Sequence, residues 1–259
     1  MSLLEIRNMS RFFGGLRAVY DFNLTLEGGE LLGLIGPNGA GKTTVFNLVS
    51  GFYQPTDGEI YFQGKNTAGL RPHQVTSLGM ARTFQNIRLW NSLPVFDNLC
   101  ISQHYNLGYG LFESIFQTRS YRESEHRVKK TAEGLLETLG LRHYANEYPR
   151  NLPYGLQRRV EIGRALSIHP KLLLLDEPAA GMNPSEVEDL IDLIRWIRDE
   201  FKLTIWLIEH HMRVVMSICE KIKVLDFGET IGDGTPEEIK KNRRVIQAYL
   251  GDEEPVHDA

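Results

Sequence analysis

Residues 36 to 43 read Gly36-Pro37-Asn38-Gly39-Ala40-Gly41-Lys42-Thr43 and directly follow an apolar run, Glu30 to Ile35. A G-x-x-x-x-G-K-[ST] segment between a buried strand and a helix leaves a chain few folds to choose from. Its glycines let the backbone turn so that successive amide N–H groups face one point. The helix that follows adds the positive end of its dipole. That arrangement cradles phosphate oxygens. Lys42 is placed to reach β- and γ-phosphates, and Thr43 to hold Mg²⁺. Thr44 extends the same binding segment.

A second signal lies 130 residues on. Leu172-Leu173-Leu174-Leu175 ends in Asp176 and Glu177. An apolar strand ending in a carboxylate places that acid at the sheet edge where α/β proteins bind ligands. Asp176 is suited to hold Mg²⁺ through water, and Glu177 to orient or deprotonate an attacking water. Gln85 follows Arg82-Thr83-Phe84, and His210 ends the stretch Leu203 to Glu209. Neither carries a functional signal by itself, since a loop glutamine means little and a lone histidine is more often structural.

The rest of the chain frames these motifs. Residues 4–7 and 19–27 read as an antiparallel pair, because Phe22, Leu24 and Leu26 alternate with Asn23, Thr25 and Glu27. Short strands are expected at 58–62 and 171–176, helices at 71–79 and 185–200, and a closing hairpin at 222–226 with 229–231. Val128, Ala132, Leu135, Leu136 and Leu139 recur at helical spacing. The expected fold is therefore α/β. One domain spans 1–259, with a core of 1–92 and 159–250, a mostly helical insertion over about 93–158, and a frayed acidic tail from 251. Tyr105, Tyr109, Phe112, Phe116 and Tyr121 in the insertion suit either a satellite core or a groove wall that receives a partner's helix. Arg158, Arg159, Glu161 and Arg164 read, for the most part, as a solvated charged face.

Composition excludes some functions. Lys plus Arg is 29 and Asp plus Glu is 33, a net charge of -4, which does not suit wrapping nucleic acid. Two cysteines, Cys100 and Cys219, are too few for a disulfide framework and read as buried thiols in a reducing compartment. No apolar stretch approaches the roughly 20 residues of a membrane span, so any membrane role runs through a partner.

The order of these motifs resembles the ATP-binding cassette ATPases. The phosphate loop comes first, then Gln85, then Leu152-Pro153-Tyr154-Gly155-Leu156, then Leu175-Asp176-Glu177-Pro178, then His210. The resemblance covers about residues 4 to 250. It implies a phosphate-loop core with an antiparallel β lobe and a helical subdomain. It also implies a sandwich dimer, with two ATP molecules between two cassettes. Each ATP touches one subunit's phosphate loop and the other's signature segment, Leu152 to Leu156. Phe13 then stacks on adenine, Gln85 senses Mg²⁺ and the membrane partner, His210 contacts the γ-phosphate, and Asn183 lies in the loop linking the two sites.

Leu152-Pro153-Tyr154-Gly155, Glu177 to Pro184, Leu207 to His210, and the endings Gly234 to Ile239 and Ala248 to Gly251 look like an ATPase subunit of the branched-chain amino acid importers. That implies docking to polytopic permease subunits at the cytoplasmic face of the membrane. A second cassette and, indirectly, a substrate-binding protein complete the assembly. A cassette for urea, other amino acids, lipid or polysaccharide export remains an alternative, as does a soluble non-transport cassette. The signature departs from the family's usual Leu-Ser-Gly-Gly-Gln. Pro153 replaces serine, Tyr154 replaces glycine and Leu156 stands at the glutamine position. His211 stands where aspartate is common.

Overall fold

The computed structural model describes residues 2–104 and 109–250, with the backbone alone at Leu250. Tyr105 and the acidic tail from 251 lie outside the described residues.

The strands follow from the hydropathy pattern. β1 (Leu4–Phe13) and β2 (Leu16–Leu26) pair antiparallel, with Leu4 opposite Leu26 and Phe13 opposite Leu16. Both run further than their alternation suggests, because Gly14 adopts φ 58° and closes the hairpin tightly. With β4 (Asp57–Phe62) and the short β5 (Lys65–Asn66) they form a four-stranded sheet ordered β2-β1-β4-β5.

The second sheet has six strands. β3 is Leu31–Ile35, β6 Met80–Arg82, β7 Leu172–Asp176, β8 Thr204–Ile208, β9 Lys221–Asp226 and β10 Glu229–Gly234. Their order is β10-β9-β3-β8-β7-β6, and all run parallel except β10, which closes the edge as an antiparallel hairpin. β3, β7 and β8 are buried at every position, as a sheet covered on both faces requires.

Strand alternation divides the core into two layers. Leu32, Leu34, Leu172, Leu174, Trp206 and Ile208 face α1 (Lys42–Val49) and the antiparallel sheet. Trp206, fully buried, ties these layers together by stacking on Phe22 at 6.2 Å and meeting Phe46 edge-on at 5.1 Å. Leu31, Leu173, Leu175, Ile205 and Leu207 face the opposite layer. That layer holds α3 (Val95–Ile101), α5 (Arg119–Thr138), α6 (Tyr154–Leu166), α7 (Pro184–Phe201) and α8 (Met212–Ile218). Within 93–158, α3, α5 and the start of α6 therefore share one continuous core with the sheet. The boundary expected at 158/159 falls inside α6.

α2 (Pro72–Ser77) precedes β6. α4 (Leu111–Ile115) and α5 carry the aromatic insertion. α9 (Pro236–Lys241) opens on a Thr235–Glu238 capping box, and α10 (Arg243–Leu250) follows.

Candidate active site at the C-terminal edge of the parallel sheet

The phosphate loop leaves β3 and enters α1. Gly36 and Gly41 adopt φ 152° and 102°. A Cβ on Gly36 would collide with the Leu225 carbonyl oxygen, and one on Gly41 with that of Ala18. Only glycine lets the loop pass between β9 and β2 at these two points. Gly41 caps α1 without a side chain, so the first turn's amides stay directed at the loop's interior. The Lys42 ammonium is buried and donates to the Gly36 and Pro37 carbonyls at 2.7 and 2.9 Å. Burial holds its pKa below the ordinary lysine value, opposed by the charges of Glu177 and Asp176. Asn38, Gly39 and Thr43 are exposed, Pro37 and Thr44 half-buried, and Ala40 buried.

Asp176 ends β7 beside this loop, and Glu177 follows it. Asp176 is buried and accepts from Arg82 Nη2 at 2.8 Å. The other guanidinium nitrogen, Nη1, donates to Asn47 Oδ1 and Ser50 Oγ, so Arg82 ties the carboxylate to α1. Burial lowers the Arg82 pKa and the Asp176 charge opposes that shift. Arg82 carries no sequence signal that marks it, because its partners lie on two other segments.

Glu177 sits at φ 47°, a left-handed conformation uncommon for a residue with a side chain. Its N–H donates to Ile208 O at 2.9 Å. The carboxylate lies within reach of two of the expected residues. Gln85 Nε2 donates to Glu177 Oε2 at 2.7 Å, and His210 Nδ1 lies 3.6 Å from the same oxygen. Behind His210, Glu209 is fully buried and accepts from the amides of Ala179, His210 and His211 at 2.7, 3.1 and 3.2 Å. Glu209 thus ties the end of β8 to the turn that follows Glu177, a role that needs the fold to be seen.

Phe13 is exposed at the end of β1, edge-on to Tyr53 at 5.3 Å, with the Arg11 guanidinium 4.6 Å from its centroid. Leu152 to Leu156 open α6, with Pro153 as N-cap and no side-chain cap. Tyr154 packs against Gly181, and Gly155 lies against Glu186. Glu186 forms a capping box with Asn183 at the start of α7. Leu156 is half-buried and packs into the helical layer's core, lining a small cavity with Met182, Leu190 and Leu193.

The charged residues of α6 do not form the solvated face expected of them. Arg158 and Glu161 are buried and paired at 2.6 Å. Arg164 donates to the Arg88 carbonyl and covers Trp90 at 4.0 Å, and Arg159 reaches the Leu139 carbonyl. Arg158, Glu161 and Arg164, three residues apart in turn, share a face that the loop after β6 covers, while Arg159 turns to the end of α5. In the insertion, Tyr109 and Tyr121 pack together at 5.0 Å, whereas Phe112 and Phe116 are exposed with Leu111 and Ile115.

The fold and this site define a nucleotide-binding ATPase. The chain matches the ABC transporter family over residues 19–180, and it belongs to that family. Residues 229–255 match a second family, the branched-chain amino acid ATP-binding cassette transporter. Among curated relatives, the high-affinity branched-chain amino acid transport ATP-binding proteins BraF of Pseudomonas aeruginosa and LivG of Escherichia coli are each 45% identical over 250 residues, covering 96% of this chain and 98% of theirs. The lipopolysaccharide export ATP-binding protein LptB of Escherichia coli is 34% identical, covering 98% of this chain and 99% of its own. A crystal structure of a nucleotide-free ATP-binding cassette from an ABC transporter superposes with TM-score 0.84 at 29% identity, covering 97% of this chain and 100% of that one. The ADP conformation of such a cassette gives 0.84 at 30% identity, with the same coverage.

Proposed function

We propose that this chain is the ATP-hydrolysing subunit of a membrane importer for branched-chain, hydrophobic amino acids. The observation that carries the chemistry is the Gln85–Glu177 hydrogen bond beside Lys42 and Asp176 at one sheet edge. The cargo rests on the 45% identity to branched-chain amino acid transport proteins along 96% of the chain, against 34% to an export ATPase.

The donor set fits Mg-ATP. Free amides at the start of α1 and the Lys42 ammonium suit phosphate oxygens. The Thr43 hydroxyl, the Gln85 amide oxygen and the Asp176 carboxylate, the last through water, are hard oxygen ligands of the kind Mg²⁺ takes. Bound there, Mg²⁺ would supply positive charge against the phosphate oxygens. Lys42 exchanges the carbonyls of Gly36 and Pro37 for phosphate oxygens. Phe13 supplies a face for adenine. Glu177 accepts a proton from the attacking water as that water's oxygen bonds to the γ-phosphorus and the bond to the β-bridging oxygen breaks. Gln85 holds the Glu177 carboxylate in aim, and His210 donates to the γ-phosphate.

Two such chains, or this chain and a second cassette, close on two nucleotides, each signature helix presenting the amides of Tyr154 and Gly155 to the partner's γ-phosphate. Among the described residues no helix is long and apolar enough to cross a membrane. Attachment to the cytoplasmic face therefore runs through permease subunits. A groove lined by Phe84, Arg88, Trp90, Ile101 and Arg164, and the exposed face of α4, supply the surface for them. Purification from membranes tests the assignment. Co-purifying polytopic proteins, and ATP hydrolysis stimulated by a branched-chain amino acid with its binding protein, support it. Co-purification with a lipid or polysaccharide exporter overturns the cargo.

A further inference from the structure

Between the signature segment and the catalytic carboxylate lies a set of contacts that the hydrolysis scheme does not use. Arg158, one turn into α6, is fully buried. Its Nη1 donates to the Phe84 carbonyl at 2.9 Å and its Nη2 to the Gln85 carbonyl at 3.0 Å. The planar guanidinium thus bridges two successive carbonyls and fixes the orientation of both peptides. Nη2 also donates to the Tyr154 hydroxyl at 3.0 Å. Glu161 closes the set from the other side. It accepts from Arg158 Nη1 at 2.6 Å and from the amides of Phe84 and Arg88 at 3.4 Å each. The segment 83–88 is neither helix nor strand, so these bonds to Arg158 and Glu161 stand in for a ladder. From Gln85 the path continues to Glu177 at 2.7 Å.

We propose that Tyr154 and Arg158 are positioning residues that couple the signature segment of one cassette to the water-orienting Gln85–Glu177 pair of the same cassette. The inference rests on the sandwich-dimer reading, in which Tyr154 faces the partner's nucleotide. Tyr154 is 37% exposed, while Arg158 is 0% exposed. One end of the path therefore lies on the surface that a partner covers, and the other at the catalytic base. A shift of the Tyr154 ring on contact with the partner's nucleotide moves the hydroxyl that Arg158 Nη2 donates to. The same nitrogen holds the Gln85 carbonyl, so occupancy at one site is felt at the base of the other. The substitution of tyrosine at a position that is glycine in the family's usual signature supplies the hydroxyl this path needs.

Tyr154→Phe removes that hydroxyl alone, from a half-exposed ring, and leaves the buried Arg158–Glu161 pair intact. Arg158→Lys keeps the charge but loses the fork, and if it fails to fold, Tyr154→Phe still decides. The expected result for Tyr154→Phe is a kcat for ATP hydrolysis lowered roughly three- to tenfold, a fraction of the weight of one hydrogen bond to a charged donor, because the Arg158 fork still holds both carbonyls. KM for ATP and the thermal midpoint stay near the parent's. Amide hydrogen exchange across residues 84–88 rises, and the Gln85→Ala/Tyr154→Phe double variant turns over no more slowly than Gln85→Ala. A purely structural role would move the midpoint and KM and leave the two substitutions additive. Unchanged kcat together with unchanged exchange at 84–88, or full additivity with Gln85→Ala, overturns the coupling. Sedimentation of Glu177→Gln with Mg-ATP separates the two readings. A protein that stays monomeric there even at the highest soluble concentration, with exchange at 84–88 still raised by Tyr154→Phe, overturns the sandwich and leaves the coupling within one chain.

Discussion

Gln85 Nε2 donates to Glu177 Oε2 at 2.7 Å across 92 positions of sequence, and it does so from a loop to a residue held at φ 47°. A carboxylate in that backbone conformation turns off the line of β7 and back over the sheet edge, where the glutamine meets it.

The first prediction concerns these two residues. Glu177→Gln keeps ATP binding and lowers turnover by about 10²- to 10⁴-fold, the usual weight of a general base. Gln85→Ala lowers turnover less, about tenfold, because it removes aim and not the base. Phosphate release and ATP filter binding on each variant check this, and a Glu177→Gln protein that hydrolyses ATP near the parent rate refutes the assignment.

Arg82 and Asp176 form a buried pair at 2.8 Å. Arg82→Ala leaves the carboxylate uncompensated and should cost about 3–5 kcal/mol in urea unfolding. Arg82→Met with Asp176→Asn should recover part of that loss, since removing both charges is far cheaper than removing one.

The altered signature bears on dimer strength. Pro153 has neither a serine hydroxyl nor a backbone N–H to donate. The loss of one bond to a charged phosphate, worth roughly 1.5–3 kcal/mol, should leave Glu177→Gln with Mg-ATP in a weak dimer at micromolar protein. Leu156→Gln should not tighten it. Leu156 packs into the helical layer's core, so a glutamine there is expected to destabilise by about 1–3 kcal/mol. Sedimentation and thermal melts read both effects.

Phe112 and Phe116 are 67% and 64% exposed and touch at 4.5 Å. Glutamate at either position should leave the melting midpoint within about 2 °C, as surface substitutions do. Co-purification with the permease subunits should fall. A large drop in midpoint would show that these rings serve a core instead.

The two thiols should label slowly. Burial, with Asp97 and Glu125 adding to it, pushes Cys100 up to about 11 from an ordinary 9.0, so its thiolate is scarcer at pH 8 by roughly a hundredfold. Its labelling by a disulfide reagent should quicken as pH rises toward 11. Burial raises Cys219 further, and it should react only after denaturant is added.

Local chemistry carried much of this protein. A glycine-rich turn between an apolar strand and a helix admits few structures, so the phosphate loop, Lys42, Thr43 and the paired acids Asp176 and Glu177 were legible from residue order. Strand alternation was legible for the same reason, since the period of side chains on a strand is a property of the strand. Gln85 and His210 gained meaning only through the order of motifs. The short helices α8 to α10 and strand β6 carry patterns too brief to rise above those of loops.

What only the tertiary structure decided was which distant groups meet. Arg82, Glu209 and Arg158 each owe their role to partners on other segments, such as Arg82 with Asp176 across 94 positions and Arg158 with Phe84 across 74. On sequence, the charges of α6 read as a solvated face. The loop after β6 covers Arg158, Glu161 and Arg164, and burial turns these charges into a hydrogen-bonded clamp. The physical reason is that charge and periodicity are set residue by residue, whereas desolvation and pairing depend on what the fold lays against each residue.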